Sequence, residues 1–496
     1  MDTASITSPP DYRIPGKIAP HRQLLLTLGA GLLLGCITLY CWTNFSQRWA
    51  VYISIAFIAA GALPIMVRLA RGIDRLLLLL FVFCIQLNLS FNVIYEDVRL
   101  PSGANGLAIS LQLLLATMCV LVWSVKRYTG RTGPWTAHRT FVTACIIFLA
   151  TSALSSITTT DHKVTMFGLF ANLSLVVVAL VAGHLFSTRK SVMTLSNLLL
   201  VVLVTQSTIF LLQHATNKTF TMMGDVVTTN WGERVGGTMG IAPSSVATLF
   251  MVCLFFAEKR FFSRSQRPTL FGLVAFAMGI LCLLLSLTRS TWIGFGVGSV
   301  YLLAGAFRRR MIRPSTVLVL GACLMIAVVV AWRPVRDRLD ADHHAAAEER
   351  WRLNYIGFEM IKAHPLLGIG LNMAYTSRRS YVPSFFTEDE WLYVPHNQYV
   401  IVAAETGLIG LAGFLAVLAT ALRAASRARR SRDPLVRETA TALFVSICAM
   451  LWGMNLDFYA GNQSYVLLWF TLGAATGVWK IAEREEQTES SPALAS

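Results

Sequence analysis

The sequence predicts an all-α polytopic membrane protein with about 14 transmembrane helices, within a range of about 12–14, and one long outer loop. Three observations predict it. Of the 496 residues, 55% are apolar and only 14% charged, and the mean hydropathy is +0.58. The apolar residues form uninterrupted blocks long enough to cross a bilayer as helices, rather than amphipathic stripes. Lys and Arg gather in alternate gaps between the blocks, which by the positive-inside rule leaves both chain ends in the cytoplasm.

Taken in order, residues 1–23 are broken by Pro9-Pro10, Pro15-Gly16 and Pro20 and are expected to form a cytoplasmic tail. Blocks beginning near 24, 50, 75, 107, 141, 164 and 192 make an N-terminal membrane unit over 24–213. Blocks near 238, 268, 290 and 315 make a core unit over 214–332, whose outer loops carry arginines. The stretch 333–395 is the long outer loop, of a length that usually signals function. Within it, the helical spacing of Trp351, Tyr355, Phe358 and Ile361 predicts a helix laying that face on the membrane surface or over a cavity. His364-Pro365 ends the helix, and Gly368-Ile369-Gly370 permits a tight turn. Blocks near 397, 438 and 464 complete the membrane part over 396–482, and 483–496 is a second cytoplasmic tail.

The net charge of +16 suggests nucleic acid only until its placement is considered. Clusters such as Arg308-Arg309-Arg310 and Arg427-Ala428-Arg429-Arg430 sit in the gaps assigned to the cytoplasm, where they meet anionic membrane lipids, so no nucleic-acid partner is predicted. All nine cysteines fall inside apolar blocks with no C-x-x-C pair, as buried small apolar residues do. Asp340, Asp342, His343 and His344 carry metal-friendly atoms but lack helical register. Neither a metal nor a cofactor is predicted, and no nucleotide-binding glycine pattern is present.

Three outer positions stand out: Arg234 in GERVGGTMG, Arg289 in SLTRSTW and His396 in VPHNQ. The topology drawn from basic residues alone puts all three on one face of the membrane. Arg289 lies in a very short turn at the interface, where it either snorkels to lipid phosphate or grips an anionic ligand through its planar donors. Arg234 is a second such candidate, or a loop arginine paired with Glu233. His396 is the side chain best suited to take a proton near neutral pH, and Asn397 beside it can bind a polar substrate. Glu405 is nine residues on, about 13 Å along a helix, so it is expected to accept a hydrogen bond from a neighbouring helix. Gly407, Gly410 and Gly413 then suit close helix packing. Arg378 and Arg379 add positive field, while Asp457 and Asn462 belong to a short outer gap near the same space.

These residues resemble the O-antigen ligase and O-antigen (exopolysaccharide) polymerase superfamily of bacterial envelope glycosyltransferases. The resemblance rests on His396-Asn397 with E-x-G-x-x-G (Glu405, Gly407, Gly410), on RLNYIGFEMIKAHPLLGIG, on R-x-G-G-T from Arg234 to Thr238, and on LTRS around Arg289. It covers about residues 230–420. Pro243-Ser244 and Thr288-Arg289 stand where the family commonly has Pro-Asn and Ser-Arg. The resemblance implies a GT-C-like multi-helix glycosyltransferase in the bacterial inner membrane, with its long loop and active site in the periplasm. It implies metal-independent transfer of an undecaprenyl-pyrophosphate-linked glycan to an acceptor, either lipid A core or a growing polysaccharide. His396 would be the catalytic base, Arg234, Arg289 and Asn397 would bind pyrophosphate and substrate, and Glu405, Arg352 and His364 would support them. The competing class is a polytopic transporter or glycolipid flippase, for which Glu405 would be the intramembrane carboxylate.

Overall fold

The structure is a computed structural model that describes residues 63–95, 104–220, 226–228, 234–240, 242–263, 269–340, 343–383, 394–459, 461 and 463–490. The expected block near 24 and most of that near 50, together with Asp342 and Asn462, lie outside those residues. The chain divides into two compact units, Met1–Leu76 and Leu77–Ser496. In the first, residues 63–69 are helical.

The helices, in chain order, are α1 (Ile73–Phe83), α2 (Leu111–Tyr128), α3 (Arg139–Leu154), α4 (His162–Leu185), α5 (Arg189–Thr216), α6 (Pro243–Phe261), α7 (Leu270–Leu285), α8 (Arg289–Arg308), α9 (Pro314–Asp340), α10 (His343–Ala363), α11 (Gln398–Ala428), α12 (Pro434–Gly453) and α13 (Gln463–Ser490). Among the described residues nine helices are long and apolar enough to cross a membrane, and α7 is a shorter apolar helix. The chain is thus an all-α polytopic membrane protein. The block expected near 75 departs from a spanning helix: α1 has 11 residues, and a hairpin pairs Ser90–Tyr95 with Gly106–Ser110.

Side chains set the helix starts. Ser110, Asp161, Thr188, Thr269, Asn397 and Asp433 each accept a hydrogen bond from a backbone N–H of the first turn. Small residues set the closest packing. A Cβ on Gly473 would stand 2.0 Å from the Ala179 carbonyl, and one on Gly477 2.5 Å from that of Gly183, so α13 and α4 meet backbone to backbone. In contrast, α9 keeps most of its apolar side chains on the outside, where lipid satisfies them.

His138, the N-cap of α3, shows burial acting on a titratable group. Its Nδ1 accepts from Thr140 Oγ1 at 2.8 Å and from the Phe141 N–H at 3.4 Å, and its ring lies 3.8 Å from that of Trp479. Burial first, then Lys480 and Arg427 against the opposing Glu483, push its pKa from 6.5 down to about 4. The imidazole is neutral in the fold, while the unfolded chain binds a proton below its ordinary pKa. Stability from this site is therefore complete above about pH 6.5, falls as pH drops toward about 4, and the loss is on the order of 3 kcal/mol. His138→Asn, which caps without titrating, is expected to flatten that part of the pH profile in thermal unfolding of the detergent-solubilised protein.

Candidate active site

The first component is the buried loop 234–240, which leads into α6. Non-helical backbone inside a membrane bundle needs partners, and here glutamines supply them. Gln213 donates from Nε2 to the Gly237 carbonyl at 3.0 Å and accepts the Gly237 N–H on Oε1 at 2.9 Å. The Thr238 hydroxyl lies 2.7 Å from both Gln206 Oε1 and the Gln86 carbonyl. Gly237 has φ +63°, and a Cβ there would collide with Gln206. So clamped, the loop delivers Arg234 to the α7–α8 turn, where its Nε donates to the Ser286 carbonyl at 3.2 Å and its Nη2 to Thr288 Oγ1 at 3.0 Å.

Thr288 immediately precedes Arg289, the first residue of α8. Two sequence-distant arginines therefore share one turn. Burial lowers the Arg234 pKa to about 10; the positive fields of Arg338, Arg350 and Arg289 push the same way, and Asp457 opposes them. Arg338, at the end of α9, and Arg350, in α10, were not singled out in the sequence. Helix α9 runs on to Asp340, past the residue 332 at which the expected membrane unit ends, and so carries Arg338 to the cluster. Arg338 Nε is shielded from water with no hydrogen-bond partner among the described residues. A concentration of guanidinium groups of this kind is a seat for a multiply charged anion.

The second component is a break in α11. Gly407 adopts φ +68°, ψ −178°, a region open essentially to glycine, and the loop after α10 enters the gap. Ile369 N–H donates to the Ala404 carbonyl at 2.9 Å, Gly370 N–H to Glu405 carbonyl at 3.1 Å, and Leu408 N–H to the Pro365 carbonyl at 2.8 Å. Glu405 Oε1 accepts the Ala374 N–H at 3.1 Å. One expectation becomes more specific here and another is corrected. The donor to Glu405 is the first residue of a short helix, Ala374–Ser377, at the end of the inserted segment rather than a membrane helix, and Gly407 exists for the backbone of Leu366, whose carbonyl oxygen would stand 2.0 Å from a Cβ. Gly413 does pack against another helix, facing Phe148 and Thr151 of α3.

Helix α10 has a second apolar face, which packs inward, besides the one expected to lie on the membrane surface or over a cavity. Leu353, Ile356 and Met360 are buried, whereas Trp351 is 63% and Phe358 48% exposed. Apolar residues occupy two faces of this helix, so periodicity alone could not select one. Gly357 lets α10 press on Pro395 and Val400, next to His396.

His396 is half-buried, and the Phe458 ring meets it edge-on at 5.4 Å. The preceding residue is Asp457, whose field reaches Arg234. The α12–α13 loop thus joins the imidazole to the arginine cluster. It is anchored to the start of α11 by Gln398 N–H on the Met454 carbonyl at 2.9 Å and Tyr459 N–H on Gln398 Oε1 at 2.7 Å. Asn397 commits its Oδ1 to the N–H groups of Tyr399 and Val400, at 2.9 and 3.3 Å. Arg352 pairs with Glu348 one turn away. His364 lies at the far end of α10, about 21 Å along the axis from Arg350, with Tyr381 as its ring neighbour. Arg378 stacks on Tyr375 in its own loop. Nor is Glu405 alone among carboxylates inside the helices: Glu258 in α6 is buried and accepts from Ser299 Oγ at 2.7 Å.

An all-α membrane protein that gathers guanidinium groups and one imidazole at the same end of its bundle has the constitution of an enzyme or carrier for anionic substrates. The O-antigen ligase family model matches residues 273–415, which hold most of this site. The match takes in Arg289, Arg338, Arg350, His396, Glu405 and Gly407, while Arg234 precedes it. No curated protein matches the chain.

Proposed function

We propose that the chain is an inner-membrane glycosyltransferase that moves a glycan from undecaprenyl pyrophosphate to an acceptor hydroxyl at the periplasmic face, the acceptor being lipid A core or a growing polysaccharide. The observation that carries this reading is Arg234 held on the turn that precedes Arg289, within the positive fields of Arg338 and Arg350 and linked through Asp457-Phe458 to His396. The acceptor hydroxyl attacks the anomeric carbon as the bond from that carbon to the pyrophosphate oxygen breaks. His396 takes the hydroxyl proton. The leaving pyrophosphate keeps the bond's electron pair, and fixed guanidinium groups, rather than a divalent cation, stabilise its growing charge. Their mutual repulsion disfavours the empty site and is relieved when the anion arrives.

This orientation puts the other end of the bundle in the cytoplasm, along with both termini. The carrier reading loses its main support because Glu405 is engaged by the Ala374 N–H. Arg234→Ala and Arg289→Ala are each expected to lower transfer by about 100-fold or more with unchanged membrane insertion. Arg289→Lys, which keeps the charge but not the paired donors, should recover only part of it. Deletion followed by analysis of the lipid carrier tests the class: full-length chains stranded on carrier mark a ligase, single repeats a polymerase. A pool of precursor held on the cytoplasmic face would overturn the reading in favour of a flippase.

A further inference from the structure

At the end of the bundle opposite His396 a cavity of about 420 Å³ opens between α6, α8, α11 and α12. Its lining includes Lys259, Arg308, Arg309, Arg429 and Arg430 against one carboxylate, Glu438, which already accepts from the Ser263 hydroxyl. Lys259 is almost wholly buried and donates to Thr439 Oγ1 at 2.8 Å. Arg429 lies 3.7 Å over the Phe444 ring and donates to the Tyr301 hydroxyl and, at 3.0 Å, to Ser426 Oγ. Its Nε is closed off from water and has no hydrogen-bond partner among the described residues. Five cations around one cavity against a single carboxylate, with Lys259 buried and Arg429 half-buried, call for an anion.

A second cavity, of about 300 Å³, begins where the first ends, since both are lined by Tyr301. It is apolar and follows the α8–α12 seam past Val297, Gly298, Val445 and Ala449 to Ile293 and Trp452. From Tyr301 to Ile293 is eight residues, about 12 Å of helix. Free phosphate would have no use for it. We propose that the two cavities form one binding site for an anionic phospholipid of the cytoplasmic leaflet, with the phosphodiester among the arginines and an acyl chain in the seam. Basic pockets between helices on the cytoplasmic side suit such headgroups. The seam joins α8, which begins at Arg289, to α12, which ends beside the Asp457 loop, so the lipid would brace two helices that carry the candidate active site.

The test is native mass spectrometry of the full chain in detergent, with equal amounts of dioleoyl-phosphatidylglycerol and dioleoyl-phosphatidylethanolamine, followed by competition with undecaprenyl phosphate and with inorganic phosphate. Preferential retention of phosphatidylglycerol is expected, weakened about fivefold by Arg309→Gln, an exposed position with little bearing on folding, and at least as much by Arg429→Gln. Val297→Trp, which fills the seam from its outer side, should weaken retention while leaving the cations in place. Equal retention of both lipids, or no response to Arg309→Gln and Val297→Trp, would overturn the proposal. Inorganic phosphate matching phosphatidylglycerol would reduce the site to an anion pocket, and displacement by undecaprenyl phosphate at lower concentration would assign it to the donor; either result also refutes it. The proposal needs the charge-derived orientation but not the glycosyltransferase reading, so unchanged transfer in Arg234→Ala would sink that reading and leave the lipid site standing.

Discussion

His396→Ala is expected to lower glycan transfer by about 100- to 10,000-fold, the span that removal of a general base usually covers. The reason is positional as well as chemical. The imidazole meets the Phe458 ring, next in the chain to Asp457 whose field reaches Arg234, and that loop is anchored by Gln398 to Met454 and Tyr459. Removing it leaves α11 capped, because Asn397 makes both cap hydrogen bonds. Expression, detergent melting temperature and membrane insertion should therefore match the parent chain while transfer of a lipid-linked glycan is lost. His396→Gln, which keeps hydrogen bonding but cannot take the proton, should be nearly as inactive. Transfer at parental rate in either variant would remove the base from the mechanism.

Gly407→Val is expected to act in the opposite manner, on the fold first and on transfer only as a consequence. The glycine holds a backbone conformation that a β-branched residue adopts at a cost of about 1–3 kcal/mol. Its Cβ would in addition stand 2.0 Å from the Leu366 carbonyl oxygen, which is backbone and cannot swing aside. Overpacking of this kind adds about 1–3 kcal/mol more. The sum, on the order of 4 kcal/mol, is a large part of the stability of a typical domain, so a lower melting temperature and poor accumulation in the membrane are expected. Gly296→Ala is the control: that glycine is helical, exposed, and has open space around its would-be Cβ, so the substitution should be neutral or mildly stabilising.

Helices were legible where one segment decides its own conformation. The apolar runs of α4, α5 and α11, and starts such as Asp161, Thr188 and Asn397, follow from local composition and capping chemistry. The topology drawn from basic residues put Arg234, Arg289 and His396 on one face, and Arg234 does meet the turn that precedes Arg289. What stayed hidden depends on a partner elsewhere. Gln206 and Gln213 look like stray polar residues in apolar blocks until loop 234–240 supplies their acceptors and donors. Arg338 and Arg350 look like surface charges until α9 and α10 bring them to Arg234. Gly407 reads as a packing residue because its spacing from Gly410 and Gly413 is helical, whereas its backbone angles answer to Leu366. The buried stripe of α10 was missed because two apolar stripes compete on one helix, and only the groove beside Val400 and Pro395 selects between them.

The seam between the 365–370 loop and the interrupted helix also constrains the order of biogenesis. Residues 365–370 leave the ribosome well before 404–408, so the N–H groups of Ile369 and Gly370 have no carbonyl to meet until the later segment has been translated and lodged in the bilayer. Maturation of this region is thus a post-insertion event: a nascent chain arrested before Leu408 would carry the earlier helices yet leave the strap across Gly407 unfastened.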